Sequence, residues 1–166
     1  MSRGFVNEDD QEEIPFVPPR ADLPAAVTNY VTQFGLDALL DEKQKLINEK
    51  EQIDITNEKE KRITTNYINA KLKLLNERIL TAVVIDLSKQ PQNEVRFGSF
   101  ITLKIGDDTR LQRYQIVGVD EADISKGKIS FISPIARILT DKKLGDKAVL
   151  KLVNAERVFE IMEISH

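Results

Sequence analysis

The sequence predicts an α+β protein: an antiparallel helical hairpin, or coiled coil, followed by a small antiparallel β-sheet domain packed by one short helix. Three observations predict it. Between Leu36 and Ala82 apolar residues recur at spacings of three, four and seven, which is the helical period. Beyond Val83 they alternate, which is the strand period. Ahead of both, residues 1–30 combine an acidic run (Glu8, Asp9, Asp10, Glu12, Glu13) with prolines at 15, 18, 19 and 24. The chain therefore reads as a Pro-rich acidic arm at 1–30, a helical hairpin at 31–82 and a β domain at 83–166.

Proline lacks an amide donor and biases its predecessor toward extended geometry, so no regular helix or inner strand is expected in the arm. A disordered tail is one reading of it. Phe5, Val6, Ile14, Phe16 and Val17 support the other, an extended arm lying on the rest of the protein.

In the hairpin, Leu36, Leu39, Leu40, Leu46, Ile47 and Ile53 form the first stripe, with Lys43 and Lys50 at the remaining seam positions. The second stripe is Ile68, Leu72, Leu75, Ile79 and Ala82. Asp41–Lys45 and Glu58–Arg62 are acid-first pairs four residues apart that support solvated helix faces. Asp54, Thr56 and Asn57 favour caps over helix interiors, so the turn is expected at 54–57. Neither stripe can stay exposed, and pairing them within one chain is the natural solution. A single long helix in an intermolecular coil is the competitor.

In the last segment, Ile101, Leu103 and Ile105 alternate into the turn Gly106-Asp107-Asp108, and Leu111–Val117 returns. Lys128–Ile132 reads as a short strand. Ser133-Pro134 is an N-cap followed by proline at the first helical position, so Ile135–Leu139 is expected to be helical. Ala148–Val153 and Val158–Ile164 complete the sheet.

Composition bounds the chemistry. With 166 residues, 41% hydrophobic and 31% charged, the chain has room for one domain with an appendage or two small ones. A net charge of -3 gives no support to a free DNA-binding protein. There is no cysteine, and the one histidine is His166, which leaves no cysteine nucleophile and no plausible triad. No apolar run approaches a membrane span and the start is acidic, so a cytoplasmic protein without signal peptide is expected. No catalytic residue, resident metal or cofactor is expected, nor any membrane partner.

The blocks Gly98-Ser-Phe-Ile-Thr-Leu, Tyr114-Gln-Ile-Val-Gly-Val-Asp-Glu-Ala-Asp, Gly127-Lys-Ile-Ser, Ser133-Pro-Ile-Ala-Arg and Leu144-Gly-Asp resemble, in order, the C-terminal domain of the bacterial Gre transcription elongation factors (GreA and GreB). Val31-Thr-Gln-Phe-Gly35 and Val83-Val-Ile-Asp86 resemble the beginning and end of that family's coiled coil. The resemblance implies an FKBP-like fold for 83–166 and a monomer that grips the rim of the RNA polymerase secondary channel, meeting nucleic acid only inside that complex. It makes Ser133, Pro134 and Arg137 the polymerase-binding residues, although the two residues of the Ser-Pro pair taken alone are simply a helix cap. Ile132 departs from the family's Asn or Asp. The family's acidic tip, whose carboxylates share a magnesium ion at the polymerase active site, has no counterpart here. Asp54 and Glu58 are the nearest substitutes. A Gre coil also has about two more turns per arm, or roughly 10 Å. Transcript cleavage is accordingly in question, while regulation of elongation is expected. An FKBP-like peptidyl-prolyl isomerase or chaperone is the alternative.

Overall fold

The computed structural model describes residues 15–166, so the acidic run and Phe5, Val6 and Ile14 lie outside the described residues. Contacts divide the chain into two compact units. One holds Met1–Arg20 and Leu39–Thr81; the other holds Ala21–Ala38 and Ala82–His166. Residues 21–38 thus group with the β domain, although the sequence reading placed 21–30 in the arm and 31–38 in the hairpin.

In the first unit, helix α1 (Gln33–Glu51) and helix α2 (Glu58–Thr81) are joined by residues 52–57. Leu39 and Leu46 of α1 and Ile68 and Leu75 of α2 form one buried cluster, with Ile53, Leu72 and Ile79 packed on it. A link this short between two helices that share a core makes the hairpin antiparallel and intramolecular. The core of α1 steps by seven, through residues 39, 46 and 53. Leu40, which the stripe included, is 44% exposed. Asn57 starts α2, its Oδ1 accepting from Lys59 N and Glu60 N at 3.0 and 3.1 Å. Of the three residues that could have begun the second arm, Asn57 does so. The Arg20 guanidinium forks onto the Glu42 carboxylate at 2.8 and 3.0 Å and ties the end of the arm to the flank of α1.

In the second unit, strands β3 (Phe100–Ile105), β4 (Leu111–Val117), β5 (Lys128–Ser130), β6 (Lys147–Lys151) and β7 (Glu156–Ser165) form a sheet in the order β5-β4-β3-β7-β6. Ile101, Leu103 and Ile116 meet Phe159 and Ile161 on its inner face. Helix α3 (Pro134–Leu139) closes that core with Ala136 and Leu139, both fully buried. The sheet is antiparallel except at one edge, where β5 runs parallel to β4 in the register Gln115↔Lys128. The connection between them, 118–127, crosses back instead of turning as a hairpin, and a crossover is what a parallel pair requires.

Two further strands are too short to show in the sequence. Tyr30–Val31 (β1) pairs in parallel with Val83–Val84 (β2), with Val83 N donating to Asn29 O at 2.9 Å and Ile85 N to Val31 O at 3.0 Å. Gly118 lies under β1, where a Cβ would come within 2.5 Å of the Tyr30 carbonyl oxygen. The Tyr30 ring packs at 5.7–6.0 Å against Phe97 and Phe131. Next in the chain, Thr32 caps α1: its Oγ1 accepts from Gly35 N at 2.9 Å and donates to Glu121 Oε1. Lys128 Nζ pairs with the other Glu121 oxygen at 3.1 Å and sits 4.1 Å over the Phe34 ring. The Glu121 side chain is only 5% exposed, and these two partners offset the cost of burying its charge.

Two predictions follow from these contacts. Leu75→Ala should remove about 2–5 kcal/mol of hairpin stability, while Leu80→Ala, at an 83% exposed position, should change it by less than about 0.5 kcal/mol. Thermal melts followed by far-UV circular dichroism measure both. Gly118→Ala should displace β1, and the sign would be faster hydrogen exchange at the Val83 and Ile85 amides with protection in β3 and β7 retained.

Candidate partner-docking site

The segment that carries the Ser-Pro pair is built as a cap. Ser130 ends β5, and its carbonyl accepts from Ser133 N at 2.9 Å, which turns the chain out of the sheet. Ser133 holds extended backbone (φ -66°, ψ 152°), and its Oγ accepts from Ala136 N at 3.2 Å. Pro134 occupies the first helical position, where its missing amide costs nothing. The helix then divides its faces. Ala136 and Leu139 enter the core, whereas Pro134 and Arg137 face solvent. Sequence reasoning placed these three residues on one short element, and they are there.

What it did not single out is the loop beside them. Asp123 caps a 3-10 turn at Ile124–Lys126, its Oδ1 accepting from Ser125 N at 3.0 Å and Ser125 Oγ at 2.6 Å. The side-chain hydrogen bond from Ser125 holds the Asp123 carboxyl below its ordinary value. Gly127 ends the turn at φ +69°, and a Cβ there would lie 2.7 Å from the Arg113 carbonyl oxygen. The loop leaves Ile124 82% exposed. An open cavity of about 500 Å³ lies alongside, lined by Ile124, Ile129, Ser133, Pro134, Ile135 and Leu150 among others. An apolar hollow with a rigid proline at its rim suits the side chains of a protein partner better than a polar reactant. Beyond the Ser-Pro pair, the trace of this hollow in the sequence is an isoleucine in a polar turn.

At the hairpin tip the two acids are not placed as a pair on one helix. Asp54 lies in the non-helical link and Glu58 is the first residue of α2, and both are exposed. Among the described residues, no group of three or more acidic, histidine or cysteine side chains is arranged to hold a metal ion. Among the same residues, no helix is long and apolar enough to cross a membrane.

The family profile "Transcription elongation factor, GreA/GreB, C-term" matches residues 90–166. Transcription elongation factor GreA of Hyphomonas neptunium is 39% identical over 99 residues, 60% of this chain and 63% of that protein. The chain thus spans somewhat under two thirds of that GreA relative's length. Transcription elongation factor GreB of Neisseria meningitidis serogroup B is 32% identical over 154 residues, covering 83% of this chain and 94% of that protein. A solved GreA/GreB factor from Nitrosomonas europaea aligns with 82% of the chain and 98% of its own at a TM-score of 0.42 and 15% identity. The match to GreB runs through hairpin and β domain alike, and at that identity and coverage the chain belongs to the GreA/GreB family.

Proposed function

We propose that the chain binds core RNA polymerase at the secondary channel through the β domain and regulates transcript elongation as a monomer in the cytoplasm. It acts on the polymerase and is not itself an enzyme, and it brings no cofactor of its own. The observation that carries this reading is the exposed corner formed by Ser133, Pro134 and Arg137, in a chain whose relatives are named as elongation factors. The Ile124 loop and the apolar hollow extend that corner to a patch that a helix or loop of the polymerase could fill.

We further propose that the chain occupies the channel without strong stimulation of transcript cleavage. Cleavage of that kind needs hard oxygen ligands ~2 Å from magnesium. The hairpin offers Asp54 and Glu58 on different elements, and its arms of 19 and 24 residues extend only about 28 and 36 Å at the helical rise.

Pro134→Gly should weaken polymerase binding at least several-fold in a pull-down or interferometry titration while leaving the near-UV spectrum unchanged, and Ile124→Asp should do the same. Absence of binding by the unaltered chain at micromolar concentration would defeat the proposal. In a stalled, backtracked complex at neutral pH, RNA 3′-end cleavage should stay near the factor-free rate. Strong cleavage that disappears with Asp54→Asn or Glu58→Gln would make the tip catalytic after all.

A further inference from the structure

The sheet of the β domain ends in two edge strands, and the fold leaves them in different states. At one edge, Asp123 pairs with Lys128 of β5 through two backbone hydrogen bonds of 2.9 and 3.0 Å, so the start of that strand is covered. At the other, β6 meets β7 on one side only, in the register Lys147↔Glu160, Val149↔Val158 and Lys151↔Glu156. Antiparallel pairs alternate between those that exchange both backbone hydrogen bonds and those that exchange none. Leu152 N donates to Ala155 O at 2.7 Å in the same register, so the bonded residues of β6 are Ala148 and Leu150. The N–H and C=O groups of Lys147, Val149 and Lys151 therefore point away from β7, and among the described residues nothing bonds them.

The side chains along this open edge are ordered. Lys147, Val149 and Lys151 share the outer face, where Val149 is 42% exposed, while Ala148 and Leu150 turn inward. Among the described residues, neither lysine has an ion-pair partner. Leu150 lines the hollow beside Ile124 and Pro134, and so does Ile129 of the opposite edge strand. The sheet thus curls until both of its edges border one hollow.

We propose that the β6 edge receives an extended acidic segment of a partner protein, which joins the sheet as an antiparallel strand. Pairing with Lys147, Val149 and Lys151 supplies about six backbone hydrogen bonds. The two lysines stand about 14 Å apart along the strand, so the segment needs two carboxylates four residues apart with an apolar residue midway. The chain's own β7 already presents that order to β6, as Glu156, Val158 and Glu160. The residue facing Leu150 turns inward beside the hollow, where an apolar side chain is suited. A second copy is the poorer occupant. Two β6 strands paired antiparallel about Val149 set Lys147 against Lys151 twice, and like charges directly opposite destabilise a sheet. Lysines on an edge strand guard against self-pairing, and the same guard selects an acidic strand. The inference does not depend on polymerase binding.

The probe is the heptapeptide acetyl-Thr-Glu-Leu-Val-Thr-Glu-Thr-amide, titrated into the ¹⁵N-labelled full-length chain. Hydrogen exchange at the Lys147, Val149 and Lys151 amides should be fast without peptide and slow with it, and the ¹H–¹⁵N shifts should centre on β6. A peptide with both Glu replaced by Lys should bind about tenfold more weakly. The joint variant Lys147→Glu, Lys151→Glu should reverse that preference, which a merely damaged fold cannot do. Val149→Pro removes an amide that β7 does not use and should abolish binding while the far-UV spectrum is retained. Shifts centred away from β6, equal affinity for both peptides, or no binding at millimolar peptide would overturn the proposal. So would slow exchange at the three amides without peptide that depends on protein concentration, the mark of a second copy on the edge.

Discussion

Two residues of parallel pairing, Tyr30–Val31 against Val83–Val84, hold together the points where the chain leaves the β domain for the hairpin and returns to it. So small a pair would not persist alone. It persists because its neighbours leave it no alternative. Gly118 admits the Tyr30 backbone where any side chain would exclude it, and Phe97 and Phe131 enclose the Tyr30 ring. Thr32, one residue on, caps the first helix and bonds a nearly buried carboxylate in one stroke.

The reading from residues alone was good where a pattern repeats and poor where a single contact decides. Heptad steps announced the hairpin, and alternation announced β3, β4, β6 and β7. The cap-rich break near 54–57 located the tip, while the choice among Asp54, Thr56 and Asn57 depended on which side chain meets the free amides of α2. Two-residue strands carry no period, so β1 and β2 were invisible. The parallel edge was equally hidden, since the direction of β5 depends on the path of a ten-residue connection. Glu121 reads as one more surface acid, and its burial appears only when Thr32 and Lys128 are brought to it.

The docking corner separates two demands that its sequence merges. Ser133 and Pro134 are needed to start α3, whose Ala136 and Leu139 close the β core, so they would be present in a domain that touched nothing. The exposed placement of Pro134 beside Ile124 is a different property, because a cap needs neither a solvent-facing ring nor an apolar hollow next to it. A substitution there can therefore change the helix start and the outer surface independently.

With its base clamped by β1 and β2, the hairpin is free to vary in length only toward its tip. Inserting or deleting one residue in an arm turns that arm's stripe by about 100° away from its partner, so viable lengths are spaced by whole heptads. One heptad removed from each arm is fourteen residues and roughly 10 Å of reach. Divergence among such hairpins would then proceed in jumps, a tip being gained or lost as a unit, while the clamped base tolerates no intermediate step.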